Sequence, residues 1–557
     1  MKFKPLPIGI EDFDEMISQG YFYIDKTLFI KDLIDNMSKV SLFTRPRRFG
    51  KSLNISMLQH FFDIEKDSNQ LFDGLNIMSA GEQYTSHMNQ YPVISLTLKS
   101  AKFNKYKDSV KRLTEEIRDE FKRHSYILDS EKISEDDKKI FIDFEKRKVS
   151  VIDYTRSLKF LSSCLYQYYN RKTIILIDEY DVPLDNAYFY GFYDEMINFL
   201  RSLLGDALKT NRSLRFAILT GCLRISKESI FTGLNNLRVI SILSKKYDEY
   251  FGFTEEETMQ ALKYYELDNK TKEVRKWYNG YSFGNSNVYN PWSVIHYLDD
   301  TYKDNSNPPV SYWSNTSSNS IIRTLIERAG AKEKEEIESL IKGGSITRPI
   351  HEDITYDDID SSMDNLWNFL LFVGYLKKVS ERTKDRKRFI TMNIPNDEVL
   401  CIYEEKITEW FQEKVKIENS SDFYHAIIEK NSPKITEELN ARLIDMISFY
   451  DTAENFYHGF LLGILANIKG YQVKSNRETG LGRSDIFIKS TGIQKKAIIF
   501  ECKVLKDNDD AEEKCREAIR QIDEKKYGAE LVKEGYRDII KYGIVFRSKE
   551  CLVMAAD

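Results

Sequence analysis

The chain has 557 residues, 41% of them hydrophobic and 30% charged. That is ordinary for globular protein, too long for a single core, and contains no run of about 18 apolar residues that would cross a bilayer. A net charge of −5 restricts any nucleic-acid surface to a local basic patch, and six cysteines without CxxC spacing exclude a zinc ribbon or disulfide framework.

The first residues are basic but reach Glu11, Asp12 and Asp14 before any apolar stretch, so a cytoplasmic protein with no secretory signal and no membrane partner is expected. From about 38 to 285, short apolar runs at 40–44, 92–96, 173–177 and 216–220 alternate with helical patterns. This rhythm predicts a parallel sheet flanked by helices, and the unbroken apolar character of the last two runs predicts central strands covered on both faces. The charge-dense stretch 130–148 reads as a solvated helical insertion. Residues 286–445 read as mainly helical, with an apolar helix at 366–372 and two strand-like segments, 374–379 and 389–395, in the order of a winged-helix unit. No helix there carries base-reaching side chains, so a lid role is favoured over DNA binding. The last segment, 446–557, predicts a helix from Glu454, strands at 471–475, 484–489 and 497–504, a helix at 511–526 and a strand at 542–546.

Directly after the first strand comes Thr44-Arg45-Pro46-Arg47-Arg48-Phe49-Gly50-Lys51-Ser52, then a helical pattern over 53–62. Strand, loop and helix in that order suit a Walker A site. Backbone N–H groups of the loop, Arg48, Phe49 and Gly50 among them, would meet phosphate oxygens, Lys51 would add charge at the β- and γ-phosphates, and Ser52 would offer its hydroxyl to Mg2+. Arg45 stands where the general GxxxxGK[ST] motif has its first Gly, so a positive φ there would cost energy. The strand at 173–177 delivers Asp178, to hold Mg2+, and Glu179, to polarise the attacking water. Asp181 reads as a turn or cap residue. Thr220, ending a third strand, is placed to sense the γ-phosphate. Arg224 or Lys227 would neutralise transition-state charge in cis or from a neighbouring subunit, with a structural role for Arg224 also open. The predicted cofactors are ATP and Mg2+, and a homo-oligomer through this module is compatible with the motif.

Taken together, Tyr23-Ile24-Asp25-Lys26-Thr27, the 45–52 loop with its Pro46-Arg47-Arg48-Phe49, Ile177-Asp178-Glu179-Tyr180-Asp181, and Arg224 to Lys227 running on to Phe231-Thr232-Gly233-Leu234-Asn235-Asn236 resemble the bacterial AAA-ATPase-like family over residues 1–285. The resemblance implies an ATPase with a nuclease-like C-terminal region, and makes Arg45 a family trait rather than the mark of a dead site.

Near the other end stand Gly482-Arg483-Ser484-Asp485, fifteen further residues, and Glu501-Cys502-Lys503. Strand alternation puts Glu501 and Lys503 on one face and Cys502 on the other, and Asp485 meets them across a hairpin. Two carboxylates with the Cys502 carbonyl suit Mg2+, and Lys503 would orient the attacking water or stabilise the phosphate. Glu454 would supply a further carboxylate. His458, four residues on, reads as packed or capping, and Gln521 and Tyr527 either touch the phosphate backbone or metal-bound water or serve structure. This order of helix Glu, Asp, Glu-x-Lys and helix Gln, with Glu478-Thr479-Gly480-Leu481-Gly482-Arg483 before the Asp, resembles the PD-(D/E)XK nuclease superfamily. It implies a restriction-endonuclease-like α/β domain acting on nucleic acid, DNA first. The expected architecture is therefore α/β: a P-loop NTPase domain at 1–285, a helical and winged-helix-like region at 286–445, and a nuclease-like domain at 446–557. An ATP-dependent nuclease is the leading reading. A STAND-like nucleotide switch and a binding module with an inactive nuclease fold are the alternatives.

Overall fold

The structure, a computed structural model, describes residues 3–556 apart from 37, 224–230, 232–234, 315–319, 353–355, 360, 418–420, 445–453, 466–467, 469, 476–484, 492–494, 506–508, 525–530 and 548–549. It contains two compact units, Met1–Ser317 with Thr347–Val399, and Ser318–Ile346 with Leu400–Asp557. These limits differ from divisions at 285 and 445.

In the first unit, β1 (Val40–Thr44), β2 (Val93–Thr97), β3 (Thr173–Asp178), β4 (Leu214–Gly221) and β5 (Leu237–Ile240) form one sheet in the order β2-β3-β4-β1-β5, parallel throughout. Every residue of β1 and β3 is buried, which is why these strands read as continuous apolar runs rather than alternating ones. The register sets Thr44 beside Gly221 and Ile177 beside Leu219, so the C-terminal ends of β1, β3 and β4 converge. The insertion at 130–148 is not wholly solvated. Its helix Glu135–Glu145 buries Phe141 and Phe144, each with its ring centroid 4.9 Å from that of Phe121.

A small sheet follows, β6 (Phe253–Thr254), β7 (Tyr281–Phe283) and β8 (Ser286–Tyr289), in the order β6-β8-β7. Asn290 caps the next helix, Pro291–Thr301, by accepting from the Trp292 N–H, and Pro291 occupies its first turn, where a missing N–H costs nothing. The helix Met363–Phe372 precedes a hairpin of β10 (Lys377–Lys384) and β11 (Lys387–Asn393), flanked by β9 (Ile346–Pro349). Asp385 and Arg386, both at positive φ, make its two-residue turn. A buried side chain ties the segment after this hairpin to the helix Pro291–Thr301 and to Trp313. Fully buried Glu398 accepts from the Ser293 hydroxyl at 2.8 Å and the Trp313 N–H at 3.0 Å, and burial pushes its carboxyl up to about 7.

The second unit carries β12 (Tyr471–Ser475), β13 (Asp485–Ser490), β14 (Lys496–Val504), β15 (Asp538–Arg547) and β16 (Glu550–Ala555), hydrogen-bonded in chain order. All neighbours are antiparallel except the parallel pair β14 and β15, which needs a crossover and receives the helix Ala511–Glu524. Tyr542 stacks on Phe500 and Tyr457, from the helix Glu454–Leu465, stacks on Phe546 at 4.2 Å. That helix therefore covers the face of β14 that carries Phe500 and Cys502. The helix Ala511–Glu524 covers the other, where Ile522 packs with Ala497 and Ile499.

Candidate nucleotide and metal sites

The phosphate loop joins β1 to the helix Lys51–Phe62 through two left-handed residues, Arg48 (φ 70) and Gly50 (φ 77). Arg45 is not among the positive-φ residues, so the backbone cost anticipated there falls on Arg48. The Arg48 guanidinium lies 4.0 Å from the centre of the Trp292 ring, a cation–π contact of about 0.5–2 kcal/mol that offsets part of that cost. Arg45 does not face the nucleotide cavity. Fully buried, it donates to the carbonyls of Ile240 at 2.9 Å and Tyr247 at 3.2 Å, and its guanidinium sits 5.2 Å from both the Phe251 and Phe283 rings. Burial pulls its pKa down to about 9. It ties the loop to β5 and the segment beyond. Phe49 is buried with its ring 4.9 Å from Tyr281.

Lys51 donates to the carbonyls of Arg45 at 3.1 Å and Pro46 at 2.9 Å. The Ser52 hydroxyl donates to one oxygen of Asp178 at 2.6 Å, and the Thr220 hydroxyl donates to the other. Burial pushes the Asp178 carboxyl up, while these two hydroxyls pull it back. Glu179 has φ 52, its N–H donates to Thr220 Oγ1 at 3.3 Å, and its side chain lines the cavity. Asp181 accepts from the N–H groups of Cys222 at 2.7 Å and Leu223 at 3.0 Å, fastening the turn after β4. Burial raises its pKa to about 6. At Gly221 a Cβ would lie 2.6 Å from the Tyr180 ring. Arg224 and Lys227 lie outside the described residues.

Lys51, Ser52 and Glu179 border a cavity of about 240 Å3. Its walls come from the loop, from Ile8, Phe22 and Tyr23 near the N-terminus, and from Pro291, Trp292 and His296. An oxygen-only set of one hydroxyl and one carboxylate, beside a buried lysine at the start of the helix Lys51–Phe62, fits magnesium and a nucleotide triphosphate. In the Tyr23–Thr27 motif, Asp25 is structural: it accepts from the Thr27 N–H and hydroxyl and from the Asn76 N–H at 2.7 Å.

In the second unit the register sets Asp485 directly opposite Glu501, the closest relation two strand residues can have. Glu501 is 1% exposed, and Lys503 Nζ lies 3.6 Å from Glu501 Oε1. Cys502 is buried on the other face. Lys503 faces the helix Ala511–Glu524. After the hydrogen bond from Lys514, its charge helps hold Glu517 of that helix below the usual carboxylate range. Gln521 is half-buried on the same helix. Glu454 begins the helix that packs on the opposite face, so β14 does not bring it beside Glu501 as it brings Asp485. The side chains of Glu454, His458 and Asp485, and all of Tyr527, lie outside the described residues.

Residues 7–231 match the family model described as predicted AAA-ATPase, and residues 452–556 match that of the PD-(D/E)XK nuclease superfamily. The chain joins a predicted AAA-ATPase domain to a PD-(D/E)XK nuclease superfamily domain. It is also 30% identical over 299 residues to the "Uncharacterized protein in vnfD 5'region" of Azotobacter chroococcum mcd 1, over 53% of this chain and 52% of that protein. The chain thus spans about half the length of the curated relative it matches.

The cavity of the AAA-ATPase-like domain extends beyond the matched segment. Pro291, Trp292 and His296 lie past residue 231, within the 286–445 stretch that reads from sequence as a separate helical region. The one local signal was Asn290-Pro291, a helix start, which carries no hint of a distant phosphate loop. No helix among the described residues is long and apolar enough to cross a membrane.

Proposed function

We propose that the AAA-ATPase-like domain binds and hydrolyses ATP with Mg2+, and that the PD-(D/E)XK domain cleaves phosphodiester bonds in nucleic acid, DNA first, in the cytoplasm. The observation that carries the first half is the Asp178 carboxylate held between Ser52 at 2.6 Å and Thr220, beside the cavity that Lys51 and Glu179 line. Ser52 and Asp178 would hold the metal, which supplies neutralising charge to the phosphate oxygens when bound. Lys51 binds the β- and γ-phosphates, Glu179 orients and deprotonates the attacking water, and Thr220 positions Glu179 through its N–H. Arg224 is proposed as the group that meets transition-state charge, in cis or across a homo-oligomer. In the second half, Asp485 and Glu501 hold a divalent ion, and Lys503 orients water against the scissile phosphate. The Asp485–Glu501 register supports that assignment.

Plasmid and short single strands incubated with and without Mg2+ and ATP test both halves, using wild type, Lys51→Ala, Glu179→Gln and Asp485→Ala. Glu179→Gln should bind ATP but lose turnover, and Asp485→Ala should lose cleavage. Cleavage that survives Asp485→Ala sinks the nuclease assignment. A second reading, a nucleotide-dependent switch with the nuclease as its effector, draws on the Arg48–Trp292 contact, which links the phosphate loop to the helix Pro291–Thr301. An ATP-dependent change of elution volume in size-exclusion chromatography, retained in Glu179→Gln, would favour it.

A further inference from the structure

A second cavity of about 190 Å3 lies at the N-terminal ends of the sheet strands, away from the phosphate loop. Its interior is apolar and aromatic, with Phe62, Ile218 and Tyr247 all buried. Lys39, Arg215, His87 and Tyr91 are half-buried around it. Among the described residues none lining it is an acid.

Among the described residues no carboxylate pairs with these half-buried cations, as buried cations ordinarily require. Among the described residues Arg215 makes no ion pair, and its guanidinium rests 5.9 Å from the centre of the Tyr91 ring. Lys39 reaches, among the described residues, the carbonyl oxygens of Leu214 and Arg215. Burial, then Lys172 and Arg215, pull the Lys39 pKa down, as expected for like charges gathered without an anion. Asp32 and Asp35, on the helix that contributes Leu33 and Ile34 to the cavity, are engaged elsewhere: Asp32 accepts from the Tyr250 hydroxyl at 2.8 Å, and Asp35 from Tyr84 at 2.9 Å and Lys31 at 3.2 Å. Nor is Arg215 needed to cap the helix that ends at Phe62. The Asn89 and Tyr91 N–H groups already donate to the carbonyls of Phe61 and Phe62 at 2.7 and 2.9 Å, and the Asn89 amide donates to that of His60 at 3.2 Å. His87 and Tyr91, joined at 2.6 Å and stacked at 23°, add a flat wall.

We propose that this cavity binds a small anion carried on a single flat ring, with its charge between Lys39 and Arg215 and its ring against Tyr91 and Phe62. At about 190 Å3 it is smaller than the cavity of about 240 Å3 beside the phosphate loop, and its flat aromatic wall suits a single ring. Calorimetric titration of the full chain with benzoate and with phenyl phosphate tests this, with inorganic phosphate as the ringless control. One saturable site is expected for at least one ring probe, and which probe binds distinguishes a carboxylate from a phosphate ligand. Affinity should fall at least tenfold in Arg215→Ala and in the size-conserving Arg215→Gln, and should be unchanged in Lys51→Ala. The proposal is overturned by no saturable binding of either ring probe, by equal binding of inorganic phosphate, or by loss in Lys51→Ala with retention in both Arg215 variants, which would assign the anion to the phosphate loop.

Discussion

The two candidate sites are built on different principles. At the nucleotide site side chains satisfy one another: Ser52 and Thr220 share the two oxygens of Asp178, and Lys51 sits on loop carbonyls. Side-chain hydrogen bonds thus preorganise it, and any one of them can be removed with a local cost of about 1.5–3 kcal/mol, the range for a bond to a charged group. The metal-carboxylate site rests on backbone register, Asp485 opposite Glu501, with one nearby ammonium group. A preorganised network tolerates single losses by degrees, whereas a two-carboxylate site loses its donor set with either member.

That contrast sets the order of expected effects. Asp485→Ala should reduce Mg2+-dependent cleavage by roughly 100-fold or more while leaving ATP turnover intact. Glu454→Gln, on the helix of the opposite face, should change cleavage less than tenfold, and an equal loss in both variants would break the comparison. At the nucleotide site Thr220→Val should lower ATP turnover by about 10-fold, as one of two hydrogen bonds to Asp178 is lost; a loss as complete as that of Asp485→Ala in cleavage would show that the network does not degrade by degrees. Gly221→Ala should destabilise the first unit by about 1–3 kcal/mol, because its Cβ meets the Tyr180 ring at 2.6 Å and Asp181 at 2.7 Å. Thermal unfolding would detect it. Trp292→Ala should weaken ATP binding by about 2- to 30-fold through loss of the Arg48 contact at 4.0 Å, measured by nucleotide titration.

The smallest effect is pH-dependent. Burial raises the Glu398 carboxyl from 4.5 to about 7, so between those values the folded state binds a proton that the unfolded state has released. Stability of the first unit should therefore fall as pH rises from 4.5 to about 7 and level off above. In Glu398→Gln this part of the slope should vanish from melting curves taken across that range.

Some of this was legible in residue order alone. The strands β1, β3 and β4, Gly50-Lys51-Ser52 and Asp178 all announce themselves by apolar runs and short-range spacing, and the hairpin pairing of Asp485 with Glu501 follows from the strand pattern on either side of its turn. Edge strands β5 and β16 escaped because short, half-exposed strands carry a weak periodic signal. The solvated insertion hid Phe141 and Phe144 among charges because composition averages over both faces of a helix.

The amino-acid sequence by itself determined which segments become strands and helices and which chemical groups stand at their ends, since those depend on neighbours a few residues away. Only tertiary packing decided that Arg45 is buried under Phe251 and Phe283, that the strained residue is Arg48, and that Trp292 leans on it from more than two hundred positions along the chain. Packing also set the helix of Glu454 on the face away from Glu501. Such outcomes turn on which surfaces meet, and surface contact between distant segments is not encoded in any local window of residues.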